Sequence, residues 1–353
     1  MTLLFDSFRI GRFRGFRDVE FSGCGSTNLL IGANNSGKSS VLEALAIYSQ
    51  PSKPATWLEV LRSRGDASEE DLFWLFSREP ATNGANPNFS ITLQATTAQV
   101  NFYVTASAKR EIRLLAQSSA DAPRVEESGI EIIVETGDRP ENPERYLLEF
   151  WRNSEIWIGN PDRVDSRLNF RFLNPFSHRN ESHQLKSLSK AELGGWMGEV
   201  LDLLRRIDPS ILELKTLTPE GVPVLHVNYK GLGLAPLSVL GDGIRRVVGI
   251  ALTVANLKNG ILLIDEIESA IHVSALETVF PWLTAACRRN NVQLFATTHS
   301  LEAIDALLAT ADGDGMACFR LNRPDHSDRV ERIAPDLLRR LRFDRGLDVR
   351  QAK

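Results

Sequence analysis

The chain has 353 residues, which is enough for two or three compact units with a sizeable hydrophobic core. Its formal net charge of −4 excludes a protein that grips nucleic acid over its whole surface, so any contact with DNA must use a local basic patch. The 3 scattered cysteines exclude a disulfide framework or a zinc site. The chain has no signal-peptide layout and no apolar stretch long enough to span a bilayer, so we expect a soluble cytoplasmic protein without a membrane partner.

The first fifty residues predict two short strands, a third apolar strand and a helix. The two strands are expected over 2–10 and 16–22, on either side of a basic turn at 12–15. The helix is expected to stop at Pro51.

The third strand leads into the most informative segment of the chain. Residues 27–39 read TNLLIGANNSGKS, an apolar run followed by the pattern G-x-x-x-x-G-K-[S/T]. In this pattern backbone amides surround phosphate oxygens, the lysine reaches the β- and γ-phosphates, and the last hydroxyl binds Mg²⁺. The helix that follows directs its positive dipole end at the phosphates. We predict a triphosphate site with these binding residues: Gly32, Asn34, Asn35, Ser36, Gly37, Lys38, Ser39 and Ser40.

The middle of the chain, residues 51–235, is predicted to be a long insertion. Two short helices, over 57–62 and 69–77, come first. Strands are then expected at 89–95, 100–105, 130–135, 146–151 and 168–172. After a polar stretch at 174–190, one amphipathic helix over 191–207 is predicted to form a helical lid. The chain shows no repeats and no sustained heptads, which excludes long coiled-coil arms.

From about residue 236 the pattern is again that of a nucleotide-binding core. Helices are expected over 244–257 and 274–289, the second bent at Pro281, and buried strands over 261–264 and 292–298. A pair of strands at 317–321 and 329–333 and a basic helical tail close the chain.

Both buried strands of this second half end in residues that suit nucleotide chemistry. The first ends in Asp265-Glu266 and the second at His299. Open α/β sheets bind ligands at the carboxyl ends of their strands, where these side chains can meet the phosphate loop. ATP hydrolysis needs a metal and an aligned water as well as a phosphate cradle. We therefore predict that Asp265 and Ser39 bind Mg²⁺, that Glu266 is the general base, and that Lys38 and His299 contact the γ-phosphate.

The long separation between Lys38 and Asp265 indicates which kind of ATPase this is. Small GTPases and ring-forming ATPases place these two elements nearer together, and the chain has no Asn-Lys-x-Asp segment for guanine. The spacing favours a head of the ABC class, in which both ends of the chain build one nucleotide site.

Residues 238–243, Ser-Val-Leu-Gly-Asp-Gly, resemble the signature motif of ABC ATPases. In that family two heads enclose two ATP molecules, and the signature loop of one subunit completes the site of the other. The resemblance implies that Ser238, Gly241 and Gly243 contact the partner's ATP. Asp242 departs from the family pattern, and we expect its carboxylate to point away from the γ-phosphate. Residues 268–272 resemble the dimer-contact loop of the same family.

Taken together, FRGF, GANNSGKSS, LGDG, LLIDEIE and TTHS resemble the ABC-like ATPases of the OLD (overcoming lysogenization defect) and RecF/SMC group. The resemblance implies an α/β P-loop NTPase of ABC-head type, with a mixed sheet flanked by helices, an antiparallel β subdomain and a helical/β insertion. The expected division is 1–50 and 236–353 for the two parts of the head and 51–235 for the insertion.

The same resemblance implies a function for the head. ATP with Mg²⁺ would pair two heads, in a homodimer or a higher oligomer, and so control a nuclease or effector, or a DNA transaction, in anti-phage defence. OLD enzymes carry a fused TOPRIM nuclease domain, for which the chain after His299 is too short, so we expect any nuclease to be a separate protein. Three alternatives stay open: a RecF-like DNA-repair ATPase, a transporter's ATP-binding subunit, and a module that binds ATP without turnover.

Overall fold

The computed structural model describes residues 3–63, 65, 68–79, 88–97, 101–114, 126–151, 154–158, 168–310, 315–322 and 330–351. In chain order the strands in these ranges are β1 (Ser7–Phe13), β2 (Phe16–Ser22), β3 (Thr27–Gly32), β4 (Ser77–Glu79), β5 (Asn88–Thr96), β6 (Asn101–Leu114), β7 (Glu126–Gly137), β8 (Glu144–Trp151), β9 (Ser154–Ile158), β10 (Asn169–Leu173), β11 (Ile211–Leu217), β12 (Val224–Tyr229), β13 (Gly233–Pro236), β14 (Gly260–Ile264), β15 (Val292–Thr297), β16 (Met316–Leu321) and β17 (Val330–Ile333). The α-helices are α1 (Lys38–Ser49), α2 (Pro54–Arg62), α3 (Glu181–Leu193), α4 (Met197–Ile207), α5 (Asp242–Ala255), α6 (Val273–Arg289), α7 (Leu301–Thr310) and α8 (Pro335–Arg339).

A six-stranded sheet forms the core, in the order β10-β14-β15-β3-β16-β17. The first five strands run parallel, and only β17 pairs antiparallel with its neighbour. The central strands β3, β14 and β15 are buried along their whole length. Continuous apolar runs suit such strands, because both faces of a parallel sheet are covered.

Alternate residues of the core strands pack into two different hydrophobic clusters. Ile261, Leu263 and Phe295 join the apolar side chains of α1 and of an antiparallel sheet. Leu262, Ile264 and Leu294 join the apolar side chains of α3 to α7. This alternation follows from the two-residue period of a strand. The predicted α/β fold, a mixed sheet flanked by helices with an antiparallel β subdomain, is confirmed.

The antiparallel sheet has the strand order β2-β1-β5-β6-β7-β8-β9, with β4 paired to β5. It therefore joins the N-terminal hairpin β1–β2 to strands of the predicted insertion. Conversely β10, which the sequence pattern assigns to the insertion, is an edge strand of the core sheet beside β14. The two sheets thus draw strands from both sides of the expected boundary at residue 50.

The prediction of one helix over 191–207 after a polar stretch is wrong. The structure has two helices, α3 and α4, and α3 begins inside the stretch expected to lack a helix. The break is a Schellman cap: Trp196 N donates to Ala191 O (3.0 Å), Gly195 N donates to Glu192 O (3.1 Å), and Gly195 has φ 74°. A glycine pair at 194–195 ends a helix even where apolar spacing continues across it.

A small sheet of β11, β12 and β13 follows α4, and α7 follows β15; these elements were not predicted from the sequence. Within the described part of the chain, no helix is long and apolar enough to cross a membrane.

An ion pair between a partly buried arginine and a buried glutamate ties the N-terminal hairpin to the helix after the phosphate loop. Arg14, at the β1–β2 turn, lies with its Nε 2.7 Å from Glu43 Oε2 on α1. Glu43 has no exposed surface, and the Arg14 backbone is in the left-handed region (φ 50°) with its N–H donating to Leu75 O (2.9 Å). The FRGF turn is thus a structural joint between the antiparallel sheet and α1.

Removing one partner of this pair should be costly, because the remaining charge is left uncompensated beside the core. We expect Glu43→Gln to lower the free energy of unfolding by about 3 kcal/mol, measured by urea denaturation. The double variant Arg14→Met/Glu43→Leu removes both charges and should recover most of that loss. Equal stability of Glu43→Gln and the wild type would contradict this role.

Candidate functional site

The phosphate loop between β3 and α1 depends on backbone conformations that few side chains permit. Gly32 has φ 147°, and a Cβ there would lie 2.4 Å from Leu321 O. Gly37 precedes α1 with φ 99°, and Asn35 has φ 61°. Glycine adopts positive φ without a steric penalty, and asparagine is among the few other residues that tolerate it. Gly32, Asn35 and Gly37 are therefore residue types that suit the backbone conformation at these three positions of the loop.

Lys38 lies at the first position of α1 with its amine inside the loop. Its Nζ donates to Gly32 O (2.9 Å) and Ala33 O (3.0 Å). Burial lowers the pKa of Lys38 from its ordinary value, and the negative charges of Asp265 and Glu266 oppose that lowering. A desolvated ammonium in this position attracts a phosphate oxygen strongly.

Asp265 meets the phosphate loop through Ser39, which lies 226 residues away in sequence. Ser39 Oγ donates to Asp265 Oδ1 at 3.0 Å, and Thr297 Oγ1 donates to the same oxygen at 2.5 Å. The register explains the contact between Asp265 and Thr297, because Ile264 of β14 pairs with Ala296 of β15 and the next residue of each strand follows at the same edge.

The oxygens of Ser39 and Asp265 fit a magnesium ion. Mg²⁺ prefers hard oxygen ligands and is usually held by one or two protein groups together with substrate phosphates and waters. Among the described residues there is no group of three or more His, Cys, Asp or Glu side chains that suits a metal, so an all-protein cage is absent from that part of the chain.

Glu266 is held in an unfavourable backbone conformation, φ 47°, by contacts on both of its peptide groups. Its N–H donates to Thr297 Oγ1 (2.8 Å), and its carbonyl accepts from Arg246 Nη2 (3.5 Å), which also donates to Asp265 O (3.2 Å). Backbone strain of this kind persists where surrounding contacts enforce it, and such residues cluster at functional sites. Contacts from β15 and α5 therefore fix the backbone that carries the Glu266 carboxylate.

Arg246 is the buried cation of the site. It is 1% exposed on α5, and burial lowers its pKa to about 10. Its Nη1 donates to Asn174 O (2.5 Å) just beyond β10. The guanidinium thus joins three carbonyls from two neighbouring strand ends and fixes the turn that carries both acids.

His299 faces two carboxylates from the end of the loop after β15. Its Nδ1 lies 3.9 Å from Glu266 Oε1 and 3.5 Å from Glu268 Oε1. Glu268 Oε1 also accepts from the backbone N–H groups of His299 and Ser300, both at 3.2 Å. The His299 ring keeps 51% of its surface exposed, so it remains open to a ligand.

A cleft of about 590 Å³ brings these groups together. Its lining residues are Asn34, Asn35, Ser36, Gly37, Lys38, Ser39, Ser40, Asp265, Glu266, Thr297 and His299. Of the residues predicted from the phosphate-loop pattern, Gly32 contributes its carbonyl to Lys38 without lining the cleft.

The three residues of the signature segment do not line this cleft. Ser238 and Gly241 are exposed, and Gly243 lies on the first turn of α5. Asp242, the acid that departs from the ABC pattern, is engaged by three basic side chains: Arg179 (2.8 Å), Arg245 (3.2 Å) and His178 (3.3 Å). The hydrogen bond from Arg179 is the main cause of the lowered pKa of Asp242.

Three residues of the site were not predicted as such: Thr297, Arg246 and Glu268, the last of which was placed only in a segment resembling a dimer-contact loop. Each lies close in sequence to a predicted residue or motif. Thr297 ends the strand before His299, Glu268 is the second glutamate of Asp-Glu-Ile-Glu, and Arg246 lies one turn after the signature segment. None of these positions specifies a contact, since all three act through partners distant in sequence.

A phosphate loop, a Ser–Asp oxygen pair and an adjacent acid at one edge of a parallel sheet define a P-loop nucleotide-binding protein. The family model described as "AAA domain, putative AbiEii toxin, Type IV TA system" matches residues 27–305, and the chain belongs to this family of ATPase domains.

Individual relatives and structures give the following similarities. An "ATP/GTP phosphatase" of Helicobacter pylori is 24% identical over 342 residues, covering 86% of this chain and 87% of that one. An uncharacterized protein of Methanocaldococcus jannaschii is 48% identical over 77 residues, which cover 22% of this chain and 68% of the relative. An Smc head bound to the C-terminal winged-helix domain of ScpA covers 94% of this chain and 97% of its own, with a TM-score of 0.49 and 12% identity. The Pyrococcus furiosus Smc head, with an extended coiled coil and bound to the C-terminal domain of ScpA, covers 97% and 99%, with a TM-score of 0.48 and 10% identity.

Thr297 should govern the affinity of the site for magnesium, because its hydroxyl holds both the Asp265 carboxylate and the Glu266 backbone. We expect Thr297→Val, which keeps nearly the same side-chain volume, to lower the affinity of the site for Mg²⁺. The Mg²⁺ concentration at half-maximal nucleotide binding should rise by roughly 10- to 100-fold. The measurement is a Mg²⁺ titration of the binding of a fluorescent ATP analogue. Thr284→Val is the matched control, since the Thr284 hydroxyl donates to two carbonyls of its own helix α6 (both 3.1 Å). An unchanged Mg²⁺ titration for Thr297→Val would contradict this role.

Proposed function

We propose that the protein binds and hydrolyses ATP and uses the nucleotide to pair two heads, and that the paired state controls a separate effector. The observation that carries the proposal is the cleft in which Lys38, the Ser39–Asp265 pair and Glu266 meet, although Ser39 and Asp265 lie 226 residues apart in the chain. A cradle for phosphate alone would need neither the strained acid at 266 nor the histidine beside it.

Within this proposal each residue has a distinct part. The loop amides and Lys38 bind the β- and γ-phosphates, and Ser39 with Asp265 holds Mg²⁺. Bound Mg²⁺ would neutralise charge on the phosphate oxygens. Glu266 accepts a proton from the attacking water, and His299, 3.9 Å from Glu266 Oε1, contacts the γ-phosphate or that water.

Glu266→Gln separates binding from turnover. The amide keeps the size of the side chain but cannot accept the proton, so we expect hydrolysis to fall by roughly 100- to 10,000-fold while ATP binding is retained. Phosphate release and equilibrium binding are measured on the same preparation. The matched control is Glu277→Gln, the same change at an exposed position on α6, which should leave turnover as it is. Unchanged hydrolysis by Glu266→Gln would remove Glu266 from the role of general base.

The residues that line the cleft bind the phosphates and the metal in this proposal, and they do not distinguish adenine from guanine. The similarity to a protein named an ATP/GTP phosphatase makes GTP the natural competitor. We propose ATP, from the absence of an Asn-Lys-x-Asp segment, and the ratio of kcat/KM for ATP and GTP measures the preference.

Head pairing is supported by where the signature segment lies. Ser238 and Gly241 are exposed at the N-terminus of α5, outside the cleft of their own subunit, and the charge of Asp242 is balanced by Arg179. A helix N-terminus with free backbone N–H groups suits a phosphate from a second subunit. We therefore propose that Ser238, Gly241 and Gly243 act on the nucleotide of a partner head.

Mixing two inactive variants tests this arrangement. Lys38→Ala disables the phosphate loop, and Gly241→Glu adds a carboxylate where an added Cβ meets no atom of its own head within 4 Å. Each should be inactive alone. In an equal mixture that exchanges subunits, half of the pairs are mixed and hold one intact site, so about one quarter of wild-type turnover should return.

Gly198→Glu is the control, because Gly198 on α4 likewise has no atom within 4 Å of an added Cβ. It should be active alone. A mixture of Lys38→Ala and Gly241→Glu that stays inactive at every protein concentration would contradict action between subunits.

The proposal also includes an effector and a biological setting. The family description names a toxin and a type IV TA system, which is in keeping with a part in anti-phage defence beside a separate nuclease or effector in the cytoplasm. The three cysteines are buried as free thiols, as a reducing compartment requires. The second candidate is a RecF-like DNA-repair ATPase, and stimulation of hydrolysis by gapped DNA without any protein partner would favour it.

A further inference from the structure

The segment 346–351 packs beside the loop that carries His299. Val349 is buried, and Arg320 Nη1 of β16 donates to the carbonyls of Val349 (3.5 Å) and Gln351 (3.2 Å). Arg342 donates to Leu347 O (2.7 Å) and forms two bonds to Asp305 of α7 (2.8 and 2.7 Å). The segment is therefore anchored to the core sheet on one side and to α7 on the other.

Within this segment the guanidinium of Arg350 is held in a fixed orientation by Asp348. Its Nε and Nη2 bond to the two carboxylate oxygens of Asp348 at 2.8 and 2.6 Å, which leaves Nη1 to donate to His299 O at 2.5 Å. A bidentate contact fixes the guanidinium plane, so little freedom is lost when the third nitrogen binds its carbonyl. The Arg350 side chain is 31% exposed, so the contact is partly shielded from water.

The peptide groups of His299 are thus held from both directions. Glu268 accepts the His299 N–H at 3.2 Å, and Arg350 donates to the His299 carbonyl at 2.5 Å. Among the residues that the structure describes, the ring makes no comparably short bond, and the Glu268 Oε1 atom lies 3.5 Å from its Nδ1. Where the ring lies relative to Glu266 is therefore decided by these backbone contacts.

We infer that Arg350 is the positioning residue of His299, so that the segment 346–351 is part of the ATPase site. This inference rests on the proposed function. Arg350 acts through the His299 carbonyl and does not itself need to touch the nucleotide.

Three variants test the inference by kinetics. Displacing a group in an active site by about 1 Å can cost about 100-fold in rate, so Arg350→Ala should lower kcat by roughly 10- to 100-fold and leave the KM for ATP nearly unchanged. Arg350→Lys keeps a donor for His299 O but loses the bidentate grip on Asp348, and it should be intermediate. The matched control is Arg205→Ala, because Arg205 also donates to backbone carbonyls (3.2 and 2.6 Å) but lies on α4, outside the cleft.

A double variant shows whether Arg350 acts through His299. If it does, Arg350→Ala/His299→Ala should turn over no more slowly than His299→Ala alone, since the group being positioned is already absent. Two independent losses would multiply instead, and that result would overturn the inference.

A second readout needs no nucleotide. The chain has 6 histidines, and selective labelling gives one ring signal for each in an NMR spectrum. Arg350→Ala should shift or broaden the His299 signal and leave the other signals in place. Unchanged kcat together with an unchanged His299 signal would overturn the inference. Should Arg350→Ala fail to fold, Arg350→Lys is scored by the same two measurements.

Failure of the inference can be told from failure of the proposed function. If Glu266→Gln and His299→Ala lose turnover while Arg350→Ala keeps it, the ATPase assignment stands and the role of Arg350 falls. If Glu266→Gln keeps full turnover, the ATPase assignment itself falls.

Discussion

The parallel pairing of β3, β14 and β15 is the constraint on which the site depends. Parallel strands put their carboxyl ends at one edge, and here that edge collects the phosphate loop, the two acids and the histidine loop. The hydrogen bond from Ser39 to Asp265 joins residues that are 226 positions apart, so the N-terminal and C-terminal parts of the core are in direct contact at the site. A displaced register between β14 and β15 would separate Asp265 from Thr297 and leave the carboxylate without its anchor.

Buried or partly buried arginines hold the elements around that edge. Arg246 crosses from α5 to the carbonyls of Asp265 and Glu266, and Arg14 crosses from the β1–β2 turn to Glu43 on α1. Both need partners because an uncompensated buried charge is strongly unfavourable. The fork of a guanidinium suits these places, since it can satisfy several acceptors from different elements at once. The side chains of Glu266 and His299 line the cleft beside these anchored elements.

Local patterns predicted most of the core elements and failed where two local signals competed. The buried strands β14 and β15 were readable from continuous apolar runs, and the phosphate loop from its glycines and lysine. The prediction of one helix over 191–207 is wrong because it followed the apolar spacing and gave too little weight to the Gly194-Gly195 pair. Gly195 adopts the left-handed conformation that ends α3. The strand β10 was found, but nothing in its residues states that its partner is β14 rather than a strand of the antiparallel sheet.

The sequence by itself determined the chemistry: a lysine, a serine, two acids and a histidine in patterns typical of triphosphate binding, together with the α/β class of the core. The tertiary structure alone decided which of these groups meet and what aims them. It placed Thr297 on Asp265, turned Asp242 towards Arg179, and brought Arg350 to the carbonyl of His299. The reason is physical: apolar period and glycine conformation are properties of neighbouring residues, whereas a hydrogen bond between strand ends depends on how the whole sheet is paired.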